Sequence, residues 1–265
     1  MAITRRHLNV IRSLLVYLLF TAAVCDVRAQ AKVQGKEAVR ERADEMITCE
    51  FTVFAPRAVA GLGYFHGGDG DALRAVKFYN SYRSPVYAYR GGAELRFYDV
   101  AGVEAARERA MAARGAGRAT AKVELMPVAT CVIPKGVTKA FLLFVPKAAG
   151  AGYEVLVLDD GEVAAPPGHL VIINTTRLEM LARINGADTT IKPGVSAPIK
   201  ALKGRVHFQA TRTESEYQKL MIADSWELGP HQRSLLLLLP PRSPTALLPD
   251  MVRLNDGPVA GGRKR

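Results

Sequence analysis

The chain has 265 residues, of which 49% are hydrophobic and 23% are charged, and its formal net charge is +11. This composition is typical of a folded protein and excludes the disordered, fibrous and collagen-like classes. The length allows one large domain or two of ordinary size. The basic residues are scattered, so the charge favours a solvated surface or attraction to an anionic polymer, and it does not indicate specific nucleic-acid binding.

The first 31 residues have the organisation of a signal peptide. Its three parts are the arginines Arg5, Arg6 and Arg12, the apolar residues 14–24, and the small residues Ala29 and Ala31. We therefore predict cleavage after Ala31 and a periplasmic or secreted location. The apolar part is shorter than the ~20 residues of a membrane span, so no transmembrane segment is expected after cleavage. Cys25 leaves a lipid anchor open, although Val24 before it is bulky for such an attachment.

After a charged linker or short helix at 32–45, the sequence predicts a first β-sandwich domain at 46–147. Its first strand alternates with the period of a half-buried strand. One face of this strand is formed by Ile47, Cys49, Phe51 and Val53. Short apolar runs separated by turn residues follow. The stretch at 103–121 lacks a continuous apolar stripe, and we interpret it as a flexible insertion.

A small-residue run at 147–152 predicts the boundary to a second domain at 153–255. About eight short strands in roughly 100 residues are typical of a sandwich, so the predicted fold is all-β, with two tandem immunoglobulin-like or cupredoxin-like β-sandwich domains. Five consecutive leucines at 235–239, flanked by prolines, predict a strand buried on both faces. The last residues, 256–265, are predicted to form a disordered basic tail.

Several turn-rich segments lie in the middle of the chain. They are Arg83-Ser84-Pro85-Val86-Tyr87-Ala88-Tyr89-Arg90-Gly91, Leu95-Arg96-Phe97-Tyr98, Ala140-Phe141-Leu142-Leu143-Phe144-Val145-Pro146, Asp159-Asp160, Pro167-Gly168-His169 and Ile173-Asn174. Over residues 51–239 the chain resembles uncharacterised exported bacterial β-sandwich proteins. The resemblance implies the fold alone, because it carries no catalytic residue that could be transferred.

Two cysteines, Cys49 and Cys131, remain if the signal peptide is removed. In an oxidising compartment they could form a disulfide, provided that their Cα atoms lie within about 7 Å of each other. The alternative is two separate buried thiols. The spacing of a zinc site is absent, and the residues after Cys131 lack the ligands of a copper site, so no cofactor is expected.

Two acidic loops are candidates for metal or acid–base chemistry. Their side chains are His66, Asp69 and Asp71 in one loop and Asp159 and Asp160 in the other. Oxygen ligands of this kind suit calcium, but glycine and aspartate are also what tight turns require. Only convergence of these side chains in one cleft would support an envelope hydrolase or a metal-dependent enzyme.

A group of tyrosines and arginines forms the candidate binding surface. Its members are Tyr82, Arg83, Tyr87, Tyr89 and Arg90. Such residues bind glycans or anionic polymers by stacking and charge, whereas burial in the sandwich is the alternative interpretation. The sequence therefore predicts an exported, non-enzymatic binding or structural module of the bacterial cell envelope, whose partner is another protein or an anionic polymer.

Overall fold

The computed structural model describes residues 46–59, 61–67, 72–116, 125–147, 152–212, 220–241 and 249–256. These residues form seventeen strands and one helix, which confirms the all-β, sandwich-type fold. The predicted signal peptide, the linker at 32–45 and residues 257–265 of the predicted tail lie outside the described residues.

Eight strands build two facing sheets, which we call the first sandwich. They are β1 (Met46–Phe54), β2 (Leu62–Phe65), β3 (Leu73–Ala75), β4 (Tyr87–Gly92), β5 (Glu94–Asp99), β6 (Ala129–Val132), β7 (Lys139–Pro146) and β8 (Tyr153–Asp159). The sheet orders are β4-β1-β7-β8 and β3-β2-β5-β6. Only β1 and β7 run parallel; the other paired strands of this sandwich are antiparallel. Side chains from both sheets share one core, which includes Phe51, Tyr64, Phe97 and Phe144.

The remaining strands build the second sandwich. They are β9 (His169–Asn174), β10 (Met180–Ile184), β11 (Ala187–Ile191), β12 (Gly194–Val195), β13 (Ile199–Lys200), β14 (Arg205–Arg212), β15 (Leu220–Glu227), β16 (Arg233–Leu239) and β17 (Asp250–Asp256). The sheet orders are β12-β9-β16-β17, with β13 also paired to β9, and β11-β10-β14-β15. A separate core that contains Ile172, Phe208 and Trp226 lies between these sheets.

The two sandwiches have the same strand order. If β12 and β13 together take the place of β4, each strand of the first sandwich has one counterpart in the second. The parallel pair also recurs, since β9 and β16 run parallel as β1 and β7 do. In immunoglobulin domains the first two strands lie in one sheet. Here β1 and β2 lie in facing sheets, so this order is not the immunoglobulin order.

A third apolar cluster joins the sandwiches to each other, and we call this contact the seam. It lies between the sheet of β1, β7 and β8 and the sheet of β9, β16 and β17. Its central side chains are Phe54, Phe141, Leu143, Val171, Ile173, Leu235, Leu237 and Leu254. The molecule therefore has four layers of sheet. The same strands of each sandwich meet at the seam, as the same patch does in a symmetric dimer.

The five leucines of β16 show why the central layers are so apolar. Leu236 and Leu238 face the core of the second sandwich, whereas Leu235, Leu237 and Leu239 face the seam. All five are buried. The predicted burial on both faces is therefore confirmed.

The chain passes from one sandwich to the other later than the sequence suggests. Strand β8 pairs with β7 from Ala140↔Asp159 to Pro146↔Tyr153 and so belongs to the first sandwich. The crossing occurs at 160–168, between β8 and β9. Lys147 and Gly152, the ends of the small-residue run, lie between β7 and β8, where the Lys147 N–H donates to the Gly152 carbonyl at 3.3 Å, and residues 148–151 lie outside the described residues. Turns within a sandwich use the same small residues as linkers do.

One helix, α1 (Val100–Gly115), occupies most of the stretch predicted to be a flexible insertion. The Oδ2 atom of Asp99 caps it by accepting a hydrogen bond from the Gly102 N–H at 2.9 Å. Val103 is its buried residue and packs against Phe65 and Tyr98 on the outer side of the β2–β5 sheet. Because Val103 is the buried residue of this helix, the sequence has no continuous apolar stripe that would have predicted it. Within the described residues, no helix has the length and hydropathy to cross a membrane.

Candidate functional site

A groove of ≈ 410 Å³ opens where the seam reaches the surface, and we call it the seam groove. Both sandwiches contribute to it. The side chains that define it are Thr52, Tyr82, Arg83, Lys139, Asp160, Arg233, Asn255 and Asp256. Clefts between two structural units are common places for binding sites, because each unit supplies one wall.

Arg83 reaches the floor of the groove from the connection between β3 and β4. The neighbouring Ser84 fixes this connection to the edge of β1. Its N–H donates to the Val53 carbonyl at 3.0 Å, and its hydroxyl accepts the Val53 N–H at 2.8 Å. Ser84 thereby replaces one residue of β4 as the partner of β1. The buried hydroxyl also donates to the Pro85 carbonyl, so the backbone beside Arg83 is held firmly.

Four alternating charges cross the seam at this point. Arg83 Nη1 lies 2.6 Å from Asp160 Oδ2, and Arg83 Nη2 lies 2.8 Å from Asp256 Oδ2. Arg233 is within 3.5 Å of the Asp160 carboxylate and 3.3 Å of the Asp256 carboxylate, and it donates to the Asp160 carbonyl at 2.8 Å. Each carboxylate is therefore shared by two guanidinium groups, one from each sandwich. Such a network fixes the two walls relative to each other.

These charges occupy corresponding places in the two sandwiches. Arg233 begins β16 and pairs in register with Asp256 at the end of β17. Lys139 begins β7, and its carbonyl accepts the N–H of Asp160, which directly follows β8. Asp160 is thus the counterpart of Asp256, and Lys139 is the counterpart of Arg233. Arg83 bridges the two equivalent carboxylates.

The guanidinium of Arg83 is deeply buried, and some of its hydrogen-bond donors have no partner among the described residues. Its side chain is 7% exposed, and its Cζ atom lies 4.7 Å above the ring of Phe141, which gives a cation–π contact. Among the described residues, Nε has no hydrogen-bond partner, and Nη2 is close to Asp256 without the alignment of a hydrogen bond. The Oγ1 atom of Thr52, which also lines the groove, has no partner there either. The floor therefore retains donor capacity.

Burial decides the protonation of the partner carboxylate. The pKa of Asp256 is raised from its ordinary value because burial disfavours the charged form more than Arg83 and Arg233 favour it, and the nearby Asp160 adds to the rise. As the pH falls, Asp256 consequently accepts a proton more readily than an ordinary aspartate with an unshifted pKa does.

The rim of the groove is more exposed than its floor. Tyr82 is 59% exposed, and its ring stacks on Tyr79 with centroids 4.4 Å apart. Val86 is also exposed. Lys139 and Glu50 stand opposite each other in register on β7 and β1, and among the described residues neither forms an ion pair. The rim thus combines an exposed aromatic ring, supported by Tyr79, with a cation and an anion that form no ion pair with any residue in the described part of the chain.

The predicted binding surface is divided by the structure. Tyr82 and Arg83 line the seam groove. Tyr87 and Tyr89 face the core of the first sandwich, where the Tyr87 hydroxyl accepts the Lys77 N–H and the Tyr89 hydroxyl donates to the Gly92 carbonyl. Arg90 is exposed on the opposite face of β4. The alternation of a strand separates residues that are neighbours in sequence.

The predicted acidic loops have different environments. Asp69 and Asp71 lie outside the described residues. The His66 ring contacts the Ala88 carbonyl through Nδ1 at 2.7 Å, and Asp159 accepts the Gly161 N–H at 2.8 Å in a local turn. Asp160 belongs to the charge network of the seam. No group of three or more His, Cys, Asp or Glu side chains among the described residues is arranged to hold a metal ion.

Cys49 and Cys131 are free thiols in the core of the first sandwich, on β1 and β6 of facing sheets. Burial raises the pKa of Cys49 to about 11 and that of Cys131 to about 12, and the nearby Cys49 adds to the rise at Cys131. The raised pKa values make both thiols weak nucleophiles while they are buried. A disulfide between them stays a prediction.

Sequence reasoning missed five of the residues that define the groove: Thr52, Lys139, Arg233, Asn255 and Asp256. Thr52 lies within β1, and the other four stand at or next to the end of a strand, where a charged or polar residue ordinarily indicates only solvent. The common signal was a basic residue at the start of a largely apolar strand, which recurs at Lys139 and Arg233. Recognising it required knowledge that these strands are equivalent.

A second, larger hollow of ≈ 530 Å³ lies on the outer face of β10, β11 and β14. It is lined by side chains such as Thr190, Gln209 and Thr211, and its ion pair, Arg183 with Asp188, is exposed. It has no buried polar group aimed into it that the structure records, so the seam groove is the stronger candidate. A comparison with known protein families and with curated proteins found no match to this chain.

Proposed function

We propose that this chain is an exported, non-enzymatic binding module of the bacterial cell envelope and that the seam groove is its binding site. The observation that carries the proposal is the combination of an exposed, stacked Tyr82 at the rim with an incompletely satisfied Arg83 at the floor. Tyrosine and arginine are the residues that dominate binding sites, because they supply contact area and directed donors at small entropic cost.

The charges of the groove support binding rather than proton transfer. The carboxylates of Asp160 and Asp256 are each held by two guanidinium groups. A general acid or base must exchange its proton with a substrate, and groups engaged in this way are poorly placed to do so. The apolar packing of the two sandwiches across the seam also supports a binding role, since a groove that is formed before the ligand arrives loses little entropy when it is filled.

Export is supported by the pattern of the first 31 residues and is tested by intact mass. Protein recovered from the cell envelope should have the mass of a chain whose first residue is Lys32. A full-length mass would contradict cleavage and make residues 14–24 a retained anchor. Comparison of the mass after alkylation with and without prior reduction also tests the disulfide between Cys49 and Cys131.

Binding is tested by co-sedimentation of the purified chain with isolated envelope polymer. We expect the chain to sediment with the polymer, Tyr82→Ala to remain in solution, and added salt to weaken the association of the basic chain with an anionic polymer. Val195→Ala is the control, since Val195 is similarly exposed and lies away from the groove. Equal sedimentation of wild type and Tyr82→Ala would contradict the assignment of the groove.

A further inference from the structure

We infer that the seam groove binds an anionic sugar, meaning a saturated sugar ring that carries a carboxylate or a phosphate group. This inference rests on the proposed binding function and adds the chemical class of the ligand.

The residues at the rim of the groove suggest that the ligand contains a ring. Tyr82 presents one face to solvent while Tyr79 supports the other, so the exposed face is held in place before a ligand arrives. The apolar C–H face of a sugar ring packs well on such a surface, and Val86 extends the apolar area. The Asn255 side chain lines the opposite wall, where an amide can bond to hydroxyl groups.

The basic residues of the groove suggest that the ligand carries a negative group. The charges of Arg83, Arg233, Asp160 and Asp256 balance within the network. That balance leaves Lys139 as a cation without an ion pair among the described residues, and Lys139 lines the groove. Next to it, the Nε–H of Arg83 and the hydroxyl of Thr52 lie buried at the floor and have no hydrogen-bond partner among the described residues. An oxyanion that reaches the floor would supply the acceptor that these buried donors lack.

The remaining charges determine which ligands are excluded. Glu50 stands beside Lys139 and leaves the rim with no net positive charge. A simple inorganic anion therefore gains little from long-range attraction and must rely on the directed donors at the floor. The ring contact with Tyr82 and the contact of the anionic group are both needed for tight binding. This requirement distinguishes an anionic sugar from a neutral sugar and from a bare anion.

The test is calorimetric titration of the purified chain with three probes: D-glucuronate, glucose 6-phosphate and D-glucose. We expect at least one anionic probe to bind, with D-glucose weaker by about tenfold, because a charge-assisted contact contributes roughly that much. Whether glucuronate or glucose 6-phosphate binds better identifies the carboxylate or the phosphate as the natural group.

Substitutions at exposed positions test the inference without disturbing the fold. Tyr82→Ala and Lys139→Gln should each weaken the affinity for the anionic probe by about tenfold. Lys192 is an exposed lysine outside the groove, so Lys192→Gln should leave that affinity unchanged. The inference is overturned if neither anionic probe binds, if D-glucose binds equally well, or if either groove variant binds like wild type. If Tyr82→Ala still abolishes co-sedimentation with envelope polymer in that case, the groove binds another ligand and only this inference fails.

Discussion

The two sandwiches share a strand order but differ in what covers their outer sheets. In the first, the connection between β5 and β6 contains helix α1, which packs through Val103 on the outer face. In the second, the corresponding face of β10, β11 and β14 carries the exposed hollow around Thr190 and Gln209. Both sheets of the first sandwich have the strand order of their counterparts, whereas the solvent-facing sides of the outer sheets differ. Packing constrains the inner layers, and the outer layers are free to acquire separate features.

The edges of the sandwiches differ as well. In the first, β6 and β8 close one corner, with the Tyr153 N–H donating to the Val128 carbonyl. In the second, the counterparts β15 and β17 are linked by the side chain of Arg253, which pairs with Asp224 and lies 5.0 Å above the Trp226 ring. The second sandwich therefore depends more on side chains at this corner. Four predictions test how far the two units behave alike.

The largest effect is expected from truncating adjacent leucines of β16. Leu236→Ala removes a side chain from the second core, and Leu237→Ala removes one from the seam. Since both are fully buried, each should lower the free energy of unfolding by about 3–5 kcal/mol in urea titration. A cost below about 1 kcal/mol for Leu237→Ala alone would show that the seam is loosely packed and that the sandwiches are nearly independent.

The next effect concerns the charge network that joins the sandwiches. Arg83→Met removes one of the two guanidinium groups that the carboxylates of Asp160 and Asp256 share and should cost about 3 kcal/mol. Arg90→Met, at an exposed position on β4, should stay within about 0.5 kcal/mol. Trp226, the single tryptophan, reports on the second sandwich, and circular dichroism reports on both. Unfolding transitions that coincide in wild type and separate in Arg83→Met would identify the network as the coupling element.

Alkaline pH should affect the first sandwich, which contains both cysteines. Because the folded pKa values of Cys49 and Cys131, about 11 and 12, lie above the ordinary value of 9.0, folding favours the protonated thiols. This contribution is fully present below about pH 9 and is lost as the pH rises toward 12. Urea titrations of the reduced protein should show that decline, and Cys131→Ala should reduce it. A wild-type stability that does not change over this range would contradict the burial of the thiols.

The smallest effect is expected at α1, the one helix among the described residues, which packs on the first sandwich. Asp99→Ala removes the cap from α1 and should cost about 1 kcal/mol. Amide exchange should increase in α1 and remain unchanged in β14 and β15. If exchange in the second sandwich increased equally, the effect of the cap would not be local, and the difference between the two outer sheets would matter less than proposed.

The strands of the central layers could be predicted from sequence, and the site could not. Burial of a strand leaves a pattern in the local sequence, and this pattern can be read directly. The two examples are the alternation of Cys49, Phe51 and Val53 and the run of leucines at 235–239. Strand β2 was missed because all four of its residues are buried, so its short apolar run did not alternate. The groove joins Arg83 to Asp256 across the seam, and no local pattern records a contact between residues so distant in the chain.

The parallel pairing of β1 with β7 has a consequence for the order of assembly. During synthesis the N-terminal part of the chain emerges first, yet Glu50 pairs with Lys139, and β9 must likewise wait for β16. Until the later strand arrives, the earlier one has an open backbone edge to which another chain can add. Contacts so distant in sequence form slowly. Newly synthesised molecules should therefore pass through an aggregation-sensitive stage, and factors that shield open strands should raise the yield of folded protein.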